Sequence, residues 1–180
     1  LAQDGQVRWT YAAEESIYGT PALAPDGSIL FGDLTGKYYA INADGTEKWT
    51  YSITQGKERR IVTAPVAASD GQSYFGSWSE EFYAIRPDGT SRWKTGLKGS
   101  LSSAPALDDT GNVYVAVNDS GRLRVHKFQP GSSEKVWTYE ENIQVDENRI
   151  LSSPCIDTAR KRLYIGVCTS SGTLYSVSTA

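Results

Sequence analysis

The sequence has few of the residues that most often bind metals or carry out catalysis. It contains one histidine, His126, two cysteines, Cys155 and Cys168, and no methionine in 180 residues. The cysteines lack CxxC spacing and a neighbouring histidine, so they predict no metal site; we expect buried free thiols, with a disulfide as the alternative. His126 has no serine, cysteine or metal cluster to act with, which favours a packed or surface histidine over a catalytic one.

Basic charge and long apolar runs are also missing. A net charge of −3 and a pI near 5.2 leave no basic patch that would bind nucleic acid. No apolar run approaches the roughly 18 residues that a membrane-spanning helix needs. The absence of methionine, even at position 1, indicates either an excised piece or a removed secretory signal; the latter predicts an extracytoplasmic protein, secreted or periplasmic.

Helix-forming stretches rich in alanine, leucine, glutamate and lysine are absent as well. Instead the chain has 17 glycines, 11 tyrosines and 5 tryptophans, a composition that favours strands and turns. Its length fits a single domain, residues 1–180.

Four tryptophans recur at a nearly constant distance. Trp9, Trp49, Trp93 and Trp137 are separated by 40, 44 and 44 residues. Similar sequences precede Trp49 and Trp93: TPALAPDGSILFGDLTGKYYAINADGTEKW at 20–49 corresponds to APVAASDGQSYFGSWSEEFYAIRPDGTSRW at 64–93. A repeat of 40–45 residues is typical of β-propeller blades, each made of four strands.

Each unit reads as four short strands joined by turns. A small residue and a proline open the first strand, and an Asp-Gly pair such as Asp26-Gly27 supplies the positive φ angles of a two-residue hairpin turn. An apolar strand, an alternating strand and a tryptophan-bearing strand follow. We therefore predict an all-β protein, a β-propeller of four four-stranded blades. The blades are expected at about 12–51, 61–95, 101–139, and 150–180 plus 1–11.

The ends of the chain complement each other in this pattern. The fourth unit has no tryptophan strand, while residues 3–11 form a tryptophan strand without a unit. We expect the N-terminal strand to complete the last blade and close the ring, which removes exposed strand edges. The alternative is an eight-bladed ring in which two chains exchange this strand, so the sequence predicts a monomer or a strand-exchanged homodimer. The four repeating tryptophans are expected to pack between blades.

The segments YAINADGTEKW and YAIRPDGTSRW resemble the tryptophan-docking motif of the pyrroloquinoline-quinone-like (PQQ-like) repeat family, to which quinoprotein dehydrogenases and BamB-like proteins belong. Ala40, Asn42, Gly45 and Trp49 match this motif. The turn is one residue shorter than in the quinoproteins, Arg86 replaces an acidic residue, and the third unit departs further.

The resemblance implies a propeller fold and separates two functional branches. Quinoprotein enzymes have about eight blades, a calcium ion, adjacent cysteines and a catalytic aspartate, whereas BamB-like members are scaffolds for other proteins. This chain has four repeats and no adjacent cysteines. We therefore expect no cofactor and no PQQ-dependent dehydrogenase activity.

The connections between units alternate in length. From each tryptophan to the proline that opens the next unit, the distances are 12, 16, 12 and 17 residues. The two long connections, 52–63 and 140–152, are expected to face each other across the central axis, one basic and one mainly acidic. Long loops of this kind are often functional. The candidate ligand-binding residues on this face are Lys57, Glu58, Arg59, Arg60, Trp78, Glu80, Asp146, Glu147 and Arg149.

Three functions fit these residues. The first is a non-catalytic binding or scaffold propeller, in which an arginine binds an anionic group or Trp78 anchors a protein partner. The second is a small enzyme with acid and base groups among Glu58, Asp146 and Glu147. The third is a lectin-like propeller whose Trp78 stacks on a sugar. The alternatives without function are salt bridges between solvated loops and a Trp78 that only covers the core.

Overall fold

The computed structural model describes residues 5–56, 58–99, 101–143, 152–168 and 172–180. All regular structure in these ranges is β-strand, and the strands form four antiparallel sheets. The prediction of an all-β protein is therefore confirmed.

In every sheet the strands follow one another in chain order. The first sheet contains β1 (Ala22–Leu23), β2 (Ile29–Gly32), β3 (Lys37–Ile41) and β4 (Glu47–Ser52). The second contains β5 (Val66–Ala67), β6 (Ser73–Gly76), β7 (Glu81–Ile85) and β8 (Ser91–Gly96). The third contains β9 (Ala106–Leu107), β10 (Val113–Asp119), β11 (Arg122–Phe128) and β12 (Lys135–Asn142). The fourth contains β13 (Cys155–Asp157), β14 (Arg162–Val167) and β15 (Thr173–Ser178).

The Asp-Gly turns are one residue longer than the sequence suggested. In the β1–β2 turn, the Gly27 N–H donates to the Ala24 carbonyl at 2.9 Å, and the Ala24 N–H donates to the Ser28 carbonyl at 2.8 Å. Only the glycine has a positive φ, +85°, while the Asp26 carboxylate accepts the Ser28 N–H at 3.0 Å. The expected two-residue turn is thus wrong: the loop has three residues, because the aspartate stabilises the turn by hydrogen bonding and needs no positive φ.

Neighbouring sheets pack face to face through aromatic side chains. Tyr38 on β3 is fully buried against Phe75 on β6, with ring centroids 4.2 Å apart. Its neighbour Tyr39 points to the opposite face, where it stacks on Phe31 at 5.0 Å. Since successive side chains of a strand alternate between faces, the second and third sheets each supply one half of two different interfaces. Three such interfaces join the four sheets in chain order.

Two tryptophans each pack over a glycine in a turn of the sheet that follows them in the chain. The Trp49 ring on β4 lies over Gly89 in the β7–β8 turn, and its indole N–H donates to the Pro87 carbonyl at 2.9 Å. Trp9 lies in the same way over Gly45 and donates to the Ala43 carbonyl at 2.9 Å. The first two tryptophans of the repeat therefore occupy equivalent positions.

The later two tryptophans keep the ring packing and lack the hydrogen bond. Trp93 packs on Phe128 at 5.6 Å between ring centroids, and Trp137 packs on Tyr114 at 5.9 Å. Neither indole N–H has a hydrogen-bond partner within the described part of the chain.

The expected closure of the ring within one chain is not observed. In the described residues the fourth sheet has only β13, β14 and β15, and residues 5–13 form no strand. Trp9 and Tyr11 instead pack against the first sheet, on Phe31, Tyr39 and Ile41. No hydrophobic cluster of the described residues joins the first sheet to the fourth.

We expect the glycine under Trp49 to be needed for space as well as for backbone conformation. An alanine Cβ at Gly89 would lie 2.8 Å from the Trp49 ring, whereas at Gly27, which has the same φ of +85°, it meets nothing within 4 Å. Gly27→Ala should therefore cost only the positive-φ penalty, about 1–2 kcal/mol. Gly89→Ala should cost a further 1–3 kcal/mol or so, because the indole must move.

Urea unfolding of the two variants measures this difference directly. Gly27→Ala serves as the matched control, since the backbone penalty is common to both positions. Equal losses in the two variants would show that the contact between the indole and the turn contributes nothing to stability.

Candidate functional site

The long connection between the first and second sheets lies across the turns that join their two central strands. Its Ile61 N–H donates to the Asp33 carbonyl at 3.0 Å, and its Arg60 carbonyl accepts the Trp78 N–H at 3.1 Å. We call the surface formed by residues 53–56 and 58–65, the β2–β3 turn and the β6–β7 turn the loop face. These backbone hydrogen bonds hold together segments that are far apart in sequence.

Asp33 fixes the first of these turns. Its side chain is fully buried and accepts hydrogen bonds from the Thr35 N–H at 3.0 Å, the Lys37 N–H at 3.0 Å and the Tyr39 hydroxyl at 2.7 Å. A buried carboxylate that accepts this many hydrogen bonds has a structural role, because a buried acidic group without hydrogen-bond partners would be costly. The turn thereby gives the connection a rigid support.

Arg59 and Arg60 take different positions on the loop face. Arg59 passes directly over Gly36, whose φ is +88°, so that an added Cβ there would lie 2.7 Å from the Arg59 carbonyl. The Arg60 guanidinium lies 5.3 Å from the centre of the Trp78 ring. Its Nε is 3.6 Å from a Glu58 carboxylate oxygen. The structure thus brings three of the candidate residues, Glu58, Arg60 and Trp78, into one cluster.

Trp78 remains accessible in this cluster, with 45% of its surface exposed. It lies at the rim of the sheets rather than over the core, and the guanidinium contacts the ring that solvent would otherwise reach. A cation over an indole ring at an exposed site contributes about 0.5–1 kcal/mol.

A second charged group reaches the same long connection at Gln55. Lys94 on β8 contacts the Glu81 carboxylate at 2.8 Å and approaches the Gln55 side-chain oxygen at 3.4 Å. Burial raises the pKa of Glu81, but hydrogen bonds from Lys94 and the Tyr83 hydroxyl outweigh it, so the pKa lies below its ordinary value. Sequence reasoning missed Lys94, whose only signal was its position two residues before the end of a strand. Glu80 contributes its backbone, since its carbonyl accepts the Leu97 N–H at 2.7 Å.

The remaining candidates were Lys57, Asp146, Glu147 and Arg149. These four lie outside the described residues. The prediction that a basic connection faces an acidic one therefore stays a prediction.

His126 on β11 is buried, with 3% of its surface exposed. Its Nδ1 lies 2.8 Å from the Thr138 hydroxyl, and its Nε2 has no partner within the described residues. Burial, together with the charges of Lys135 and Arg124, lowers the pKa of His126 to about 3. The ring is consequently neutral in the folded protein over the whole physiological range.

The described cysteines and acidic groups are not arranged as a metal site. Cys155 and Cys168 are both exposed, so the expectation of buried thiols is wrong. In the part of the chain that the structure describes, no three histidine, cysteine or acidic side chains are arranged to hold a metal ion. Within the same residues, no helix has the length and apolar character to cross a bilayer.

We expect His126 to make the folded state less stable in acid. In the unfolded chain its pKa is about 6.5, so below that pH the unfolded state binds a proton that the folded state takes up only near pH 3. The free energy of unfolding should fall as the pH drops through this window. Between pH 7.5 and 5.0 the loss due to His126 should be about 2 kcal/mol.

Urea unfolding of the wild type and of His126→Gln at both pH values isolates this contribution. The carboxylates titrate in both proteins, so the difference between the two pH dependences belongs to His126. Parallel pH dependences in the two proteins would contradict a neutral, buried imidazole.

Comparison with solved structures shows what class of protein this arrangement belongs to. BamB from Moraxella catarrhalis superposes with a TM-score of 0.73 at 22% identity, over 97% of this chain and 50% of that chain. The WD40 β-propeller domain of Doa1 superposes with a TM-score of 0.66 at 14% identity, over 94% of this chain and 53% of that one. Sqt1 from Saccharomyces cerevisiae gives 0.65 at 15% identity, over 88% and 45%. The sheets are thus blades of a β-propeller, as predicted.

The sequence identifies the family within this class. The family described as outer membrane protein assembly factor BamB matches residues 54–180. The chain belongs to this family, which confirms the resemblance to PQQ-like repeats. Among curated proteins, none matches the chain by sequence. The chain spans half of the length of the BamB structure that it matches.

Proposed function

We propose that this protein is a non-catalytic scaffold that binds a protein partner on the loop face, with Trp78 and Arg60 as the main contacts. The observation that carries the proposal is the exposed Trp78 held against Arg60 on a backbone-anchored surface. Tryptophan and arginine are the side chains that most often dominate the binding energy of protein interfaces. Rigid support limits the entropy lost when such a surface is bound.

The cluster suits a protein partner better than a sugar or a reaction. The Arg60 guanidinium lies over the Trp78 ring, so a sugar stacking on that face would have to displace a charged group. The Glu58 carboxylate, a candidate acid or base, is 55% exposed and faces Arg60. General acid–base catalysis favours carboxyl groups held in an enclosed site, which shifts their pKa toward neutrality.

Family membership supports the same proposal. The family's description names assembly of an outer membrane protein, which is a role in handling other proteins. We extend this to the present chain as a binding function, and we place it in an extracytoplasmic compartment on the same basis. The particular contacts are argued from the residues of this chain, because one fold hosts many different functions.

Peptides selected from a random display library on the immobilised wild-type protein provide the probe. We expect Trp78→Ala to weaken binding of the selected peptides by at least tenfold and Arg60→Ala by a smaller factor, because the indole supplies the larger buried area. Isothermal titration of the purified variants measures both losses. Neither substitution should unfold the protein, since both side chains are substantially exposed.

Arg86→Ala is the matched control for Arg60→Ala. Arg86 is an exposed arginine in the β7–β8 turn, at the other end of the second sheet, and donates to the Ser91 carbonyl at 2.7 Å. It should leave peptide binding unchanged. Peptide binding that is lost in Arg86→Ala and unchanged in Trp78→Ala and Arg60→Ala would place the partner at the opposite end of the sheets. That result would refute the proposal. Trp78-dependent binding to a glycan array, without peptide binding, would favour the lectin.

A further inference from the structure

Two lysines that lie over tyrosine rings show what such a contact does inside the fold. Lys37 lies over Tyr39 and donates to a Glu14 carboxylate oxygen at 2.7 Å. Lys127 lies over Tyr114 and donates to a backbone carbonyl at 3.1 Å. Both rings are 1% exposed. In these two contacts the cation already has an acceptor and the ring is covered, so both belong to the packing of the sheets.

The contact between Arg60 and Trp78 differs in both respects. The Trp78 ring is 45% exposed and the Arg60 side chain 47%. The ion pair of Arg60 with Glu58 is 3.6 Å long, which exceeds hydrogen-bond distance, and the Arg60 side chain makes no hydrogen bond within the described residues. A guanidinium has five N–H donors and no acceptor. The loop face therefore presents a set of unused donors beside an exposed aromatic ring.

The backbone that carries Arg60 is held on both adjoining sheets. Ile61 is fully buried directly over Gly32, where an added Cβ would lie 2.3 Å from the isoleucine side chain. The Thr63 hydroxyl donates to the Gly76 carbonyl and accepts the N–H of the same residue, both at 3.1 Å. A fixed backbone lowers the entropy that is lost when a partner binds. Arg60 is thus positioned before any partner arrives.

From these observations we infer that the protein partner presents an aspartate or glutamate side chain to Arg60. The inference rests on the proposed binding function of the loop face and names the chemistry of its partner. A planar guanidinium binds a carboxylate through two parallel hydrogen bonds, and stacking on an aromatic face leaves these in-plane donors available. Residues 58–60 are one glutamate and two arginines, so this part of the connection also favours an anionic group by charge.

A carboxylate within a partner segment fits this surface better than the terminal carboxylate of a chain. Terminal carboxylates are captured in concave nests of backbone N–H groups. Here the donors belong to a side chain, and both Arg60 and Trp78 are exposed to nearly half of their surface. A partner segment can therefore continue past the cluster in either direction.

Glu58 competes with the partner's carboxylate for the same guanidinium. Its own carboxylate is 55% exposed and carries the same charge as the incoming group. We expect Glu58→Gln to strengthen the binding of acidic peptides by about two- to threefold, the size of an exposed ion pair. Asp109→Asn removes the same charge from an exposed turn at the other end of the third sheet and should leave the affinity unchanged. Weaker binding in Glu58→Gln would contradict the inference.

Peptide titrations on the wild type and on Arg60→Ala test the contact itself. Selected peptides whose binding depends on Trp78 are synthesised with free and with amidated C-termini, and each Asp or Glu is replaced in turn by Asn or Gln. One replacement should weaken binding to the wild type by about fivefold, the effect of losing a hydrogen bond to a charged group at an exposed site. On Arg60→Ala the same replacement should have an effect of less than about twofold, because the carboxylate has no partner to lose. Arg60→Lys keeps the charge without the planar fork and should lose most of the discrimination.

The outcomes separate this inference from the proposed function. Peptides that depend on Trp78 and keep their affinity after every acidic replacement would leave the binding function standing and overturn the inference. A replacement that costs as much on Arg60→Ala as on the wild type would also overturn it, since the acidic side chain then contacts another group. A loss on amidation alone would assign the carboxylate to the C-terminus of the partner and exclude a side chain. If no peptide binds in a Trp78-dependent manner, the inference fails together with the proposed function.

Discussion

The contact between a tryptophan and the glycine turn of the next sheet is the constraint on which this architecture depends. At Gly89 and Gly45 the glycine provides both a positive φ and the space for an indole ring, and the ring contacts the backbone that a Cβ would block. One turn therefore ends a hairpin and also receives the preceding sheet. The same few residues thus determine both the conformation of the turn and the packing between sheets. This explains why Asp-Gly and tryptophan recur together along the chain.

Strands and turns were predictable from the sequence because their causes are local. Alternation in KYYAI and EFYAI places Tyr38 and Phe82 on one face, and the glycines mark the turns. Closure of the ring was not predictable, because it depends on the angle between sheets. That angle is set by how side chains such as Tyr38 and Phe75 fill the space between two faces, and the repeat length carries no information about it.

In the candidate site, too, the residue types were predictable from the sequence and their contacts were not. Loop length and residue type pointed to Arg60 and Trp78, but their mutual contact joins residues of two different connections and depends on a backbone hydrogen bond between them. Whether Trp78 is exposed or covers the core could not be decided from a tryptophan in a turn. Lys94 escaped notice because a lysine on an outer strand is common, and only the fold places it near Gln55 on the long connection.

The third sheet indicates which part of the tryptophan contact carries the stability. Its β11–β12 turn is longer, and the Arg92 guanidinium, rather than an indole, lies against Gly131. Trp93 loses its hydrogen bond and retains its packing on Phe128. A neutral hydrogen bond contributes about 1 kcal/mol net, less than the roughly 1.5–3 kcal/mol from burying a large apolar side chain. The interface therefore tolerates a changed turn as long as the aromatic surface stays covered.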